Sequence, residues 1–492
     1  MENTALTKQK IVSELSRSPH GNLKEYLEVG LQAMRQEPEF CAHLISWDAL
    51  KGQVRDAKVA LPVISLGALP NDLLENSWAH IASLKPREFL RAYRFNGELR
   101  IPGRMRKFRR LVKLYLRNFE ALGYWEGIAL QHRAVLHELY SIVHLKPREV
   151  VGNALFRDLY TSDSIFMAVR ELKNMTPTEA AGTILERKIP FLVAQAALRE
   201  KFKHPDILMA LIKRMSPTEL VTHTKDLTKW GIKTNPVLRA AFEEALSGVS
   251  KSKANILKTS RAASVTTDVA IKAKLEAVQE KQINSIAVEG NWLVLADKSG
   301  SMSASIEAAK LISATLAKLV KGKVNLTFFD TMPMALDITG CSLDIIRKAT
   351  QFITAAGGTS IGCGLMRIFE AKEEVDGIAI VSDGCENTGP LFWDVYRKYS
   401  DMIGKEVPVY LYHVEGTDYP ESYQNFVNRR DVQIFELGHT PDYYSLPNLV
   451  ATMRSNRYSL VDEIMASKLL SLSQVFKWIL NTNEEEVKYV TA

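Results

Sequence analysis

From residue 292 onward, short apolar runs alternate with longer amphipathic stretches, and the spacing predicts strands and helices in turn. Strands are predicted at 292–297, 324–330, 377–383, 408–414 and 432–438, with a short one near 334–337 that reads as an antiparallel edge. After the first, Ile306, Ala309, Ile312, Leu316 and Leu319 recur at helical spacing. Buried apolar strands separated by helices predict a parallel, doubly wound sheet. The tail beyond Pro441, with Tyr443, Tyr444, Leu446, Leu449, Ile464, Leu469 and Leu470, reads as helix packed back on the rest.

The front half has a different pattern. Apolar residues follow helical periods almost throughout, with Pro and Gly falling between the runs. Two start signals repeat 40 residues apart, Met175-Thr176-Pro177-Thr178-Glu179 and Met215-Ser216-Pro217-Thr218-Glu219. Each predicts a capping box with Pro at the first helical position: the hydroxyl accepts from free amides and the Glu reaches back. Leu84-Lys85-Pro86-Arg87-Glu88 and Leu145-Lys146-Pro147-Arg148-Glu149 repeat a second signal. Such spacing fits helical-hairpin repeats of the HEAT type. The domains read as a helical-repeat domain over 1–255, a helical linker over 256–286, and an α/β domain with C-terminal helices over 287–492.

The first strand stops on a carboxylate, and the loop Asp297-Lys-Ser299-Gly-Ser301 leads into a helix. Open α/β sheets bind ligands at that place. One carboxylate and two hydroxyls are hard oxygens, which suit Mg²⁺ or Mn²⁺. One loop cannot fill six positions, so further donors are expected from other strand ends: Thr359 in Gly-Gly-Thr-Ser, and Asp383 where the 377–383 strand ends in Asp-Gly. The set Asp297, Ser299, Ser301, Thr359 and Asp383, in that order, resembles the metal-ion-dependent adhesion site of von Willebrand factor A domains. The alternative is an ordinary helix cap, where Asp and Ser are also favoured.

Composition is that of a globular protein: 492 residues, 46% hydrophobic and 24% charged. No apolar stretch is long enough to span a membrane. Cys41, Cys341, Cys363 and Cys385 are scattered and read as reduced thiols. With no signal-peptide pattern at the start, a cytoplasmic location is expected. The net charge of +7 hides a division, because residues 1–290 hold 44 Lys and Arg against 31 Asp and Glu. A polyanion partner for the front half follows. Within it, residues 100–117 carry eight cations and no acid, with Phe108, Leu111, Val112, Tyr115 and Leu116 as the apolar stripe. Arg104, Arg106, Lys107, Arg109, Arg110 and Lys113 are therefore candidate phosphate contacts.

Three places in the front half resemble the TROVE domain, the HEAT-repeat ring of the Ro autoantigen family. They are Arg35-Gln-Glu-Pro-Glu-Phe40, the basic helix start Gly103-Arg-Met-Arg-Lys107, and His144-Leu-Lys-Pro147. With the metal-site domain behind, the resemblance covers nearly the whole chain. It implies a helical ring that binds small noncoding Y-type RNA on its basic face and single-stranded ends of misfolded RNA through its hole. By motif match it adds His144, Arg133 and Lys146 as RNA-contacting residues. A 3′ exoribonuclease or other protein is the partner expected at the metal site.

Nothing in the chain marks an enzyme. There is no phosphate-binding Gly-x-x-x-x-Gly-Lys-Ser/Thr loop, no His-Glu-x-x-His and no nucleophile elbow. Two other readings stay open: a metal-dependent protein-interaction adaptor without an RNA role, and a phosphodiesterase using the metal.

Overall fold

A computed structural model of the chain describes residues 22–52, 54–249, 265–285, 288–336, 343–414, 432–436 and 459–481, with a few single positions outside these spans. Gly438 and the tail residues Tyr443, Tyr444, Leu446 and Leu449 lie outside the described residues, as does most of 250–264. The chain forms two compact units, one of Met1–Leu61 with Ile283–Leu469 and one of Pro62–Gln282 with Leu470–Ala492.

The unit built on Pro62–Gln282 is helical, with no strand among its described residues. Both capping boxes form: Thr176 accepts from the Glu179 amide, Ser216 from that of Glu219, and each Glu returns to the cap's amide. Pro86 opens the Pro86–Leu99 helix, whereas the matching signal at Pro147 starts its helix two residues later, at Glu149. Ile271, Leu275 and Val278, on the Val269–Ser285 helix of the expected linker, share one apolar core with Leu238, Phe242 and Leu246. Apolar side chains on one face draw that helix into the core.

The Arg104–Ala121 helix begins after Gly103, whose positive φ of 71° a side chain would strain. It buries Phe108, Leu111, Val112, Leu116 and Phe119. Phe108 sits edge-on to Trp78, Phe89 and Tyr93 at 5.5, 6.0 and 5.4 Å. Truncating such a ring costs about 3–5 kcal/mol, so this aromatic cluster fixes which face of the helix points outward. The Leu472–Asn481 helix packs on Leu74–Ser83, and the Leu470 amide donates to Asn76 Oδ1 at 2.9 Å.

The other unit carries one six-stranded sheet: β1 (Trp292–Asp297), β2 (Val324–Phe329), β3 (Pro333–Leu336), β4 (Gly377–Ser382), β5 (Val409–His413) and β6 (Val432–Glu436). Their order is β3-β2-β1-β4-β5-β6, all parallel except β3, the antiparallel edge. β1, β4 and β5 are buried on both faces, which is why they read as continuous apolar runs. A Cβ on Gly364 would lie 2.5 Å from Leu295, so glycine lets the Ile361–Glu370 helix settle directly on β1. The order in which strands are added reverses between β1 and β4, which run parallel, and the crevice at their carboxyl ends is the ligand position of this topology. In the same unit the Ser459–Met465 helix packs on Pro38–Lys51, where Trp47 Nε1 donates to Glu463 at 2.9 Å.

Candidate metal centre and candidate nucleic-acid interface

Asp297 is the last residue of β1, and Asp383 follows the last residue of β4. Because β1 and β4 are neighbours, the two carboxylates flank the crevice. Asp297, Ser299, Thr359 and Asp383 are buried, and Ser301 is half-buried. Asp297 accepts from the Ser299 amide at 2.8 Å and from the Ser382 hydroxyl. Ser299 and Ser301 hydroxyls lie 3.2 Å apart, and Asp383 accepts from the Cys385 amide at 3.0 Å.

Backbone bonds tie the three donor loops together. The Gly300 amide donates to the Gly357 carbonyl at 2.9 Å and the Ala356 amide to that of Lys298 at 2.8 Å. Thr359 is paired twice with Asn387: its amide donates to Asn387 Oδ1 at 2.8 Å, and its carbonyl accepts from the Asn387 amide at 3.1 Å. Glu386 fastens the third loop to the helices behind it. Its carboxylate accepts from the amides of Ile361, Gly362 and Phe392 at 2.9–3.1 Å, the free N-terminal amides of two helices. Burial pushes the Glu386 carboxyl up to about 7 against those three amides.

Electrostatics define what this crevice can hold. Burial, then the charge of Asp383, raises Asp297 from an ordinary 3.8 to about 7, opposed by the hydrogen bonds from Ser299 and Ser382. Among the described residues Asp297 makes no ion pair, since the nearby cation Lys298 is committed to Asp330. The cost of burying the Asp297 charge beside a second carboxylate is what a divalent cation offsets. The donors fit a hard ion: hydroxyls of Ser299, Ser301 and Thr359 with the carboxylates of Asp297 and Asp383. Among the described residues no cluster of three His, Cys, Asp or Glu forms a different kind of metal site. A bound Mg²⁺ or Mn²⁺ would supply a Lewis-acidic position able to take one further carboxylate.

Ser382, Asn387 and Glu386 were not found by sequence reasoning. Each acts through a hydrogen bond to a residue distant in the chain, and only Ser382, directly before Asp383, carried a local signal.

On the helical unit, Arg106, Lys107, Arg109, Arg110 and Lys113 are exposed along the outer face of the Arg104–Ala121 helix. None of the five makes an ion pair among the described residues. Arg104 differs: it is half-buried and its Nε donates to the Leu66 carbonyl at 2.7 Å. At the far end, buried Glu120 accepts from Arg117 at 2.7 Å, from the Tyr140 hydroxyl at 2.9 Å and from the Arg148 amide at 3.0 Å. Arg117 also donates to the Lys146 carbonyl at 3.2 Å. The basic helix and the His144–Arg148 segment, separate in the sequence, are thus stitched side by side. His144 and Lys146 are exposed there, with His144 in a left-handed conformation (φ 49°) ending its helix.

Arg133 sits elsewhere. Its guanidinium donates to the carbonyls of Ala154 and Leu155 and to Asp158, at 2.7–3.2 Å. Those bonds use its donors inside the protein, and it serves as a cap for the turn at 153–157.

A helical domain with an outward basic helix, joined in one chain to a doubly wound α/β domain with a hydroxyl–carboxylate crevice, is the class these features define. The crystal structure of the Ro (RSR) protein of Deinococcus radiodurans is similar to it, with a TM-score of 0.59 over 87% of this chain and 93% of that one, at 15% identity. The chain therefore shares the fold of that Ro protein. A von Willebrand factor type A structure from Catenulispora acidiphila aligns over 36% of this chain and 43% of that one, at 17% identity and a TM-score of 0.24. No protein-family model and no curated protein matches the sequence.

Proposed function

We propose that the chain is an RNA-binding scaffold, not an enzyme, that takes small noncoding RNA and the ends of misfolded RNA in RNA quality control or processing. One observation carries this reading. Five cations stand exposed within about two helical turns, and none is neutralised by an acid among the described residues. Such a helix accepts self-repulsion that a phosphate backbone relieves with release of counter-ions. The Ro-like fold supports it, and the RNA type follows from the family resemblance.

The α/β domain then binds Mg²⁺ or Mn²⁺ through Asp297, Ser299, Ser301, Thr359 and Asp383. A protein partner, such as a 3′ exoribonuclease, docks there through an acidic side chain that completes the ion's sphere. Among the described residues no helix is long and apolar enough to cross a membrane, and no membrane partner is proposed. Ultraviolet crosslinking of the full chain in cells, scored for RNA against protein, tests the reading. Protein adducts without RNA adducts would favour the adaptor instead.

A further inference from the structure

The turn that Arg133 caps is unusual. Residues Asn153–Arg157 form a single π-helical turn, a geometry frequently found at functional sites. Arg133 and His137, one turn apart on the Trp125–Val143 helix, both donate to the Leu155 carbonyl. Asp158 closes the turn at a φ of 55°. Two side chains thus brace this turn, and Phe156 stands on its outer side. Phe156 is 43% exposed, and Val150 and Leu159 nearby are 57% and 59% exposed. The Phe156 ring lies flat on His137, with centroids 4.3 Å apart and planes 14° apart, and meets Tyr140 edge-on at 5.8 Å.

Basic residues lie on both sides of this ring in the chain. Arg157 is its exposed neighbour in the chain, and His144, Lys146 and Arg148 are exposed on the segment before it. Tyr140, which touches Phe156, donates to the same Glu120 that holds Arg117 at the end of the basic helix. An exposed aromatic ring with Lys146, Arg148 and Arg157 close by in the chain suits a strand that offers flat bases and phosphates together. A purely apolar peptide would gain nothing from the cations, and a duplex keeps its bases stacked inside.

We propose that Phe156, backed by His137, is the stacking platform for an unpaired base of single-stranded RNA whose phosphates run toward the basic helix. This rests on the RNA-binding reading and adds a base-contacting site to it. The test uses the full chain and a short single-stranded RNA carrying 2-aminopurine, with Phe156→Leu as the variant, because leucine keeps an apolar side chain without the π-face. Wild type should quench the probe on binding. Phe156→Leu should lose the quenching and about tenfold in affinity, with the slope of affinity against salt unchanged, since no phosphate contact is lost. An abasic strand of equal length should bind both proteins alike. Normal RNA binding with an unchanged Phe156→Leu variant would overturn the platform and leave the RNA reading standing. The same unchanged affinity with a shift in oligomeric state by sedimentation would overturn it by making the patch a protein interface. No RNA binding by wild type would remove both.

Discussion

Asp297 and Asp383 terminate adjacent parallel strands, and the charge of the second helps hold the carboxyl of the first near 7. Neither the fold nor the local hydrogen bonds require two acids at this point, and a cation gives the pair a purpose. Asp297→Ala should abolish saturable Mg²⁺ or Mn²⁺ binding in calorimetry, while RNA affinity stays within about twofold because the cations are on the other unit. A variant that titrates like wild type would reduce the loop to a helix cap.

The same pair predicts a pH dependence. Unfolded, Asp297 gives up its proton near 3.8; folded, near 7. The folded chain holds the extra proton between those values, so this contribution favours folding fully below about pH 4 and is lost as pH rises through 7. Metal-free protein should therefore melt lower at pH 8 than at pH 5, and saturating Mg²⁺ should reverse the trend by taking the proton's place. Asp297→Asn should reduce the metal-free dependence, leaving the part due to Glu386, whose carboxyl is also raised to about 7. An undiminished slope in that variant would place the titrating group elsewhere.

Glu386 should matter as much as the metal donors although it holds no metal in this account. Glu386→Ala leaves three helix-terminal amides without their acceptor, a loss of about 3 kcal/mol, and loosens the loop that carries Asp383. Urea unfolding should show that loss, and Mg²⁺ affinity should fall with it. Glu386→Gln keeps an acceptor oxygen and should lie between. Equal stability of wild type and Glu386→Ala would show that water replaces the carboxylate without cost.

The strands were legible because burial on both faces writes itself as apolar runs, and each predicted strand from 292 to 414 ends within a residue or so of its observed end. The neighbouring positions of Asp297 and Asp383 were legible because each stands where an apolar run ends. What escaped was long-range. Glu386 bonds amides 6 to 25 residues away, Arg133 reaches carbonyls 21 and 22 residues on, and neither leaves a periodic trace. The π turn at 153–157 was invisible because its sequence, Asn-Ala-Leu-Phe-Arg, is compatible with an ordinary helix.

Glu120 offers a test of how the RNA face is assembled. Its side chain is fully buried and is shared by Arg117, Tyr140 and the Arg148 amide. Glu120→Ala strands these partners and should cost about 3 kcal/mol. In protein that remains folded, RNA affinity should drop although no phosphate contact has been removed. Unchanged affinity would mean that the His144–Arg148 segment plays no part in binding.

The central claim is that the outer face of the Arg104–Ala121 helix neutralises RNA phosphates. Its most direct test is RNA affinity measured against salt for wild type and for a variant with Arg106, Lys107, Arg109 and Arg110 replaced by Gln. If about four phosphates are contacted, log K should fall against log[salt] with a slope of roughly −3 in wild type. The folded variant should show a slope flattened by about that amount, with affinity reduced at low salt. Identical slopes and affinities in the two proteins would contradict the account.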